Sequence, residues 1–252
     1  MFDAQKVKDQ IVKWIRDWFE VNGKDCKAIV GISGGKDSTI VAALCAEALG
    51  KDKVIGVIMP NTNQSCEDAL AVIEYLGINQ LKIDIGTAYS AIYHTTNHAK
   101  LISSNNCCEL KLTEQAEINL APRLRMATLY FVSQCVHGRV ANTCNMSENY
   151  VGWNTHFGDD CGDFSPLSNL TVTEVKSIGY ELGLPTEFVD KVPDDGLCGA
   201  TDEEKFGFTY EVLDKYIRTG ICEDEFTKDR IDKMHYKNLF KMQPMESFPY
   251  KV

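Results

Sequence analysis

The chain has 252 residues, 44% of them hydrophobic, and a formal net charge of −10. That length allows one large α/β domain or two small ones. The acidic balance argues against a protein bound mainly to DNA or tRNA, which usually carries a basic face, but permits a local basic pocket for one anionic small molecule.

In chain order, "VKDQIVKWIRDWFEVNG" sets Val7, Ile11, Trp14, Ile15 and Trp18 on one face with charges between them, the pattern of an amphipathic docking helix rather than an export signal. No run is long enough to span a membrane. "CKAIVGIS" is a short, apolar, β-branched strand, "TIVAALCAEALG" a helix stopped by Gly50, and "KVIGVIMP" a second strand. Ser65 and Asp68 have the spacing of a capping box before the helix "EDALAVIEYLG", and "LKIDI" is a third strand. This rhythm predicts a Rossmann-like three-layer α/β sandwich, a central parallel sheet with helices on both faces. Ligands of such sheets bind outside the carboxyl ends of the strands.

Residues 86–112 read as loop with a single helical turn. Asn119 is a candidate cap for the helix "LAPRLRMATLYFVSQCV", with Pro122 in its first turn. "GRVANT" is a fourth strand, and residues 145–166, rich in glycine and aspartate, read as functional loop around one helical turn. Thr171 and Glu174 form a second capping box before "VKSIGYELG", and short helices and loops follow from "LPTEFVDK". No repeat or linker interrupts the chain, so a single domain over 1–252 is expected. The ten cysteines include no Cys-x-x-Cys and no zinc-finger pairing with histidines, and Cys107 and Cys108 are adjacent; reduced thiols in a cytoplasmic enzyme are expected.

The segment "VGISGGKDSTIVAAL" carries the chemistry. It fails the Walker pattern, because Asp37 follows Gly35-Lys36 and the first glycine position holds Val30; it fails the dinucleotide fingerprint at Ser33. Ser33-Gly34-Gly35-Lys36-Asp37-Ser38 remains, between a buried strand and a helix. The glycines let backbone N–H groups approach an anion, the helix start favours phosphate, and both serines can donate hydroxyls. The sequence leaves open whether Lys36 points at the anion or at solvent. Asp37 would repel a bare phosphate, which suggests Mg²⁺ between them; as an N-cap it would only close the turn.

Ser-Gly-Gly-x-Asp-Ser resembles the signature of the N-type ATP pyrophosphatases, which cleave ATP between the α- and β-phosphates. "NLAPRLRM", "NTCNMSENYVGWNTHFGDDCGDFSPL" and "DDGLCGATDEEKFGFTYEVLDKYI" further resemble, in order and spacing, segments of the NAD synthetases, from about Ala28 to Pro244. That resemblance implies ATP-dependent amidation of deamido-NAD by ammonia through an adenylated carboxylate, releasing AMP and pyrophosphate. It implies Gly31, Ile32, Ser33, Gly34, Gly35, Lys36, Asp37, Ser38 and Thr143 at ATP, and Asp37 and Glu148 as catalytic residues holding Mg²⁺. Arg123, His156, Asp163, Phe240 and Lys241 are implied at deamido-NAD. It also implies a homodimer and no fused glutaminase domain. Trp14, Trp18 and Phe19 exceed what one helix face needs, in keeping with a dimer.

Each residue also has a plain structural reading. Glu148 would favour a helix N-terminus, Thr143 cap a turn, Arg123 form a surface ion pair and Lys241 end a solvated helix. Arg123 and Arg125, two apart, point to different faces of a helix. The chain departs from the family pattern at Pro122, His156, Val172, Asp194 and Phe240, which marks a distinct subgroup. Two other readings share the loop: a tRNA-modifying pyrophosphatase, opposed by the acidic charge and the lack of catalytic cysteine pairs, and a nucleotide-binding module without chemistry, opposed by Asp37 with the Ser147-Glu148 pair. No nucleic-acid or membrane partner is expected.

Overall fold

The computed structural model describes residues 2–103, 106–191 and 201–249. Helix α1 (Ala4–Asn22) is capped by Asp3, whose side chain accepts from the Lys6 N–H. Strand β1 (Lys27–Gly31), α2 (Lys36–Leu49), β2 (Val54–Ile58), α3 (Glu67–Leu76) and β3 (Asn79–Lys82) follow as the predicted alternation. Next come α4 (Gly86–Asn97), a hairpin of β4 (Lys100–Ser103) and β5 (Asn106–Glu109), the long α5 (Glu114–Cys135) and β6 (Gly138–Val140). The remainder is α6 (Met146–Val151), α7 (Val172–Glu181), α8 (Thr186–Val189), α9 (Asp202–Phe206), α10 (Tyr210–Thr219) and α11 (Glu225–Asn238).

The main sheet is parallel, in the order β3-β2-β1-β6. The chain moves outward from β1 to β3 and then returns to β6 on the other side of β1, so the strand order reverses between β1 and β6. A crevice opens at such a point beyond the strand carboxyl ends. Beyond Val140 the edge is continued by a bridge between Ala141 and Phe164.

Side chains alternate across β1. Ala28 and Val30 join a core with α1, α2, α3 and α7, while Ile29 joins Ile55, Val57, Met59 and Val132 beneath α5. A third cluster, with Val151, Phe206, Phe208, Tyr210, Leu213 and Ile231, joins α6 to the C-terminal helices. Hence the expected three-layer sandwich carries a helical annex beside the strand ends.

Several local expectations change. Trp14 is 42% exposed, whereas Val12, Ile15 and Phe19 are buried. Trp18 and Phe19 lie 5.0 Å and 5.2 Å from Phe164, ring centre to ring centre, so two of the three surplus aromatics have partners within the chain. Helix α3 has Cys66 at its N-cap with no side-chain cap bond, and no Ser65–Asp68 capping box forms. The Thr171–Glu174 box is present. Residues 86–112 hold a twelve-residue helix and the hairpin rather than loop. Their polar composition conceals the helix, because α4 buries only Gly86.

Helix α5 begins at Thr113, whose side chain accepts from the Ala116 N–H, so Asn119 and Pro122 lie inside it. Asn119 instead accepts from the Thr155 hydroxyl at 2.9 Å. Asp194 lies outside the described residues. The described cysteines are free thiols. Among the described residues, no helix is long and apolar enough to cross a membrane.

Candidate active site

The β1–α2 loop closes on itself through short-range bonds. Ser33 Oγ accepts from the Gly35 N–H at 3.1 Å, and Ser38 Oγ donates to the Gly35 carbonyl at 3.0 Å. Gly34 has φ +83°, and a Cβ there would lie 2.6 Å from Asp68 Cβ and 2.9 Å from the Ala69 nitrogen. Only glycine permits this turn against the start of α3. The first N–H groups of α2 have no intrahelical acceptor and stand at the positive end of the helix dipole, an arrangement suited to an anion.

Lys36 is turned away from solvent and onto a carboxylate of the protein itself. It is 3% exposed, and its Nζ donates to Asp37 Oδ2 at 2.9 Å while lying 5.8 Å above the Tyr210 ring. Burial works against its charge, but Asp37, then Glu148 and Asp202, hold its pKa up at about 12.

The other oxygen of Asp37 accepts from Asn145 Nδ2 at 3.2 Å. Asn145 is fully buried and caps α6. Its Oδ1 accepts from the Glu148 N–H at 3.0 Å, and Glu148 Oε2 accepts from the Asn145 N–H at 3.4 Å. Glu148 thus does sit in a helix first turn, as its plain reading had it. The same cap brings it beside Asp37, 108 residues away from Asn145 in sequence by the bond that links them. Burial first, then the Asp37 charge, push the Glu148 pKa up to about 8. Its Oε1 has no hydrogen-bond partner among the described residues. Two hard carboxylates with the single Lys36 ammonium between their charges fit an oxygen-loving divalent cation. These are the residues that could hold Mg²⁺.

A cavity of about 340 Å³ lies beside the loop at the ends of β1, β2 and β6. Gly31, Ile32, Ser33 and Thr143 line it; Gly34, Gly35, Lys36, Asp37 and Ser38 lie outside its lining, with Ser33 joining the two regions. Pro122, Met126, Leu129 and Ala141 give it apolar walls, and Gln64, Ser65, Arg125, Thr143 and Asp159 give it polar ones. Arg125 is the cation of this cavity, donating from Nε to the Met59 carbonyl at 3.1 Å and from Nη2 to Gln64 Oε1 at 2.9 Å. Val172 is buried at the start of α7, where its N–H donates to Ser147 Oγ, and does not line the cavity.

A second group gathers where α5, the 152–160 loop and the segment after α11 meet. Arg123 Nε donates to the His156 carbonyl at 3.3 Å. His156 Nδ1 meets Asp160 Oδ2 at 2.8 Å, and its ring lies 5.5 Å from Phe240, edge-on. Lys241 Nζ donates to the carbonyls of Gly152 and Asn154 at 2.8 Å and 2.9 Å. Burial lowers its pKa, and Asp159 and Asp160 oppose that shift. Four of the five residues expected at the second substrate therefore converge. Asp163 stands apart: its Oδ2 accepts from the Val140 N–H at 2.7 Å and closes the sheet edge, although the residue is exposed.

Sequence reading missed Asn145, Arg125, Asp202 and Tyr210. Asn145 was legible, since Asn three residues before Glu is a capping-box spacing. Arg125 was noted only as lying on another helix face. Asp202 and Tyr210, joined by a 3.1 Å hydrogen bond, lie in the segment "DDGLCGATDEEKFGFTYEVLDKYI" that resembles the family, but nothing in the sequence sets them beside Lys36.

The model of the NAD synthase family matches residues 7–251. The NH(3)-dependent NAD(+) synthetase of Finegoldia magna is 36% identical over 249 residues, 97% of this chain and 96% of that protein. An NMN synthetase from Francisella tularensis superposes with a TM-score of 0.87 at 29% identity, covering 99% of this chain and 100% of that one. The NH3-dependent NAD synthetase of Campylobacter jejuni, solved with a nitrate ion, superposes with a TM-score of 0.76 at 27% identity, covering 98% and 100%. Spanning nearly the whole sequence and joined by an Asp37–Asn145–Glu148 constellation that the loop motif alone could not supply, these matches place the chain in the NAD synthase family.

Proposed function

We propose that the protein is a carbon–nitrogen ligase that amidates deamido-NAD with ammonia at the expense of ATP. The observation that carries this reading is the junction of the phosphate loop with Glu148 through Asn145, within a chain aligned to an ammonia-using relative over almost its full length. The cavity, with its apolar walls, Arg125 and Thr143, suits the adenosine end of ATP. The α2 N–H groups and the hydroxyls of Ser33 and Ser38 receive the leaving pyrophosphate. Asp37 and Glu148 are the residues that would hold Mg²⁺, which when bound would supply charge neutralisation for the phosphates; the carboxylate oxygen of the substrate attacks the α-phosphorus and pyrophosphate leaves. Arg123, His156, Phe240 and Lys241 orient the nicotinate nucleotide. Ammonia then adds to the activated carboxyl carbon, AMP leaves, and one proton is released.

A homodimer is part of this reading. Helix α5 has 22 residues, of which only Val132 and Ser133 are buried, while Ile118 and Phe131 are 41% and 71% exposed. So long a helix left half-covered fits a second copy against it. A cytoplasmic location accords with the free thiols.

A second reading concerns the substrate's size. The Francisella NMN synthetase superposes more closely than the Campylobacter NAD synthetase at nearly equal identity, and His156 and Phe240 are among the departures from the NAD synthetase pattern. A nicotinate mononucleotide offers the same carboxylate. Incubation with ATP, Mg²⁺, ammonium and either substrate tests both. Amidated nucleotide, AMP and pyrophosphate are expected, and the ratio of kcat/KM values chooses the substrate. Formation of ADP, or no product from either, overturns the proposal.

A further inference from the structure

Lys36 is implied at ATP by the family resemblance, but its side chain is buried against Asp37. Its ammonium is buried, bonded to Asp37 Oδ2, covered by the Tyr210 ring, and faces the negative charges of Glu148 and Asp202. Asp202 is itself fixed by the Tyr210 hydroxyl. The lysine is therefore an internal cation, anchored on one oxygen of Asp37 while Asn145 holds the other. We propose that Lys36 is a positioning residue whose fixed positive charge keeps the Asp37–Glu148 pair from retaining a divalent cation by itself, so that the metal is held only together with the nucleotide phosphates.

The reasoning is electrostatic and rests on the reading of Asp37 and Glu148 as metal ligands. A lone cation entering between them meets an ammonium already bonded to one of its ligands. Like charges so close in a poorly solvated site repel strongly. Phosphate oxygens arriving with the metal add the missing negative charge, and the ammonium then favours the assembly. Hydrogen bonds from Lys36 and Asn145 to opposite oxygens also set the plane of the Asp37 carboxylate.

Manganese(II) is the probe, and water-proton relaxation separates protein-bound from free or nucleotide-bound metal. The full chain is titrated with and without ATP. Lys36→Gln keeps a hydrogen-bond donor and removes the charge; it should bind Mn²⁺ without ATP at least about fivefold more tightly than wild type, with the gain conferred by ATP reduced by a similar factor. Lys36→Arg should stay within about twofold of wild type, because it keeps the charge. Lys36→Met replaces the Gln variant if that chain does not fold, with the same expected direction. Unchanged or weaker Mn²⁺ binding in Lys36→Gln, or tightening by Lys36→Arg as large as by Gln, overturns the proposal. If wild type with ATP binds no Mn²⁺, both the metal site and the proposal fall. If wild type binds it, Glu148→Gln loses it and Lys36→Gln changes nothing, only the role of Lys36 falls.

Discussion

The β1–α2 loop and the 142–163 segment serve one site but are built in opposite ways. Within the loop, bonds join neighbours: Gly35 to Ser33, Ser38 to Gly35. The second region has local bonds too, such as His156 to Asp160, but is placed by bonds that span the chain. Asn145 reaches Asp37 across 108 residues, Lys241 reaches Gly152 across 89, and Thr155 reaches Asn119 across 36. A turn whose partners lie within one helical turn is specified by its own residues. A carboxylate placed by a distant cap depends on the sheet, the annex and α5 all being in place. The loop should therefore survive changes elsewhere, whereas the metal-side geometry should fail when one long-range bond is cut.

The largest effect is expected from the carboxylates. Asp37→Ala and Glu148→Ala should each lower kcat/KM by about a hundredfold or more, on the order of losing one principal electrostatic contact of a phosphoryl-type transition state. Pyrophosphate release measures this. Retained turnover in either variant would remove that residue from the site. Asn145→Ala cuts the bond between the two regions and removes the α6 cap. It should cost about 1 kcal/mol of stability as a lost cap and lower activity about tenfold, with nucleotide binding by the loop preserved. If ATP affinity collapses as well, the loop is not the independent unit described here.

Arg123→Ala tests the second group. It should raise KM for the nicotinate nucleotide several-fold, about 1 kcal/mol of binding, and leave KM for ATP unchanged. Equal changes in both would deny the separation of the two pockets.

The smallest effect is on the metal-free protein. The folded-state pKa of Glu148 is raised from the ordinary 4.5 to about 8. Its protonated form therefore contributes stability that is complete below the ordinary value and lost as pH rises through about 8. Glu148→Gln mimics the protonated form. It should melt with wild type at pH 4.5 and above it at pH 9, by about 2–4 °C per kcal/mol in a chain of this size. A difference of equal size at both pH values would mean that Glu148 is not held in the strained electrostatic setting beside Asp37.

Legibility in the sequence followed the same division. The alternating strands and helices up to β3 have apolar runs of the right length, and Ser33 to Ser38 announces an anion-binding turn from residue types alone. Residues 86–112 hid a helix because α4 buries only Gly86, so no apolar face imposes a period on it. Asn119 mimicked a cap, since a polar residue before an apolar run has the same local signature whether it begins a helix or faces a neighbour such as Thr155.

From sequence alone come the layered α/β class, the phosphate turn, the resemblance across most of the chain and, as what that resemblance implies, the expectation that Asp37 and Glu148 share one function. Tertiary structure alone decided that Lys36 is an internal cation, that Asn145 joins the two carboxylates, that Arg125 rather than Arg123 faces the cavity, and that Asp163 closes the sheet edge. The physical reason is range. Turn geometry, strand burial and helix starts depend on residues within a few positions, which a sequence displays. The destination of a long polar side chain depends on which distant charge the fold delivers within about 3 Å.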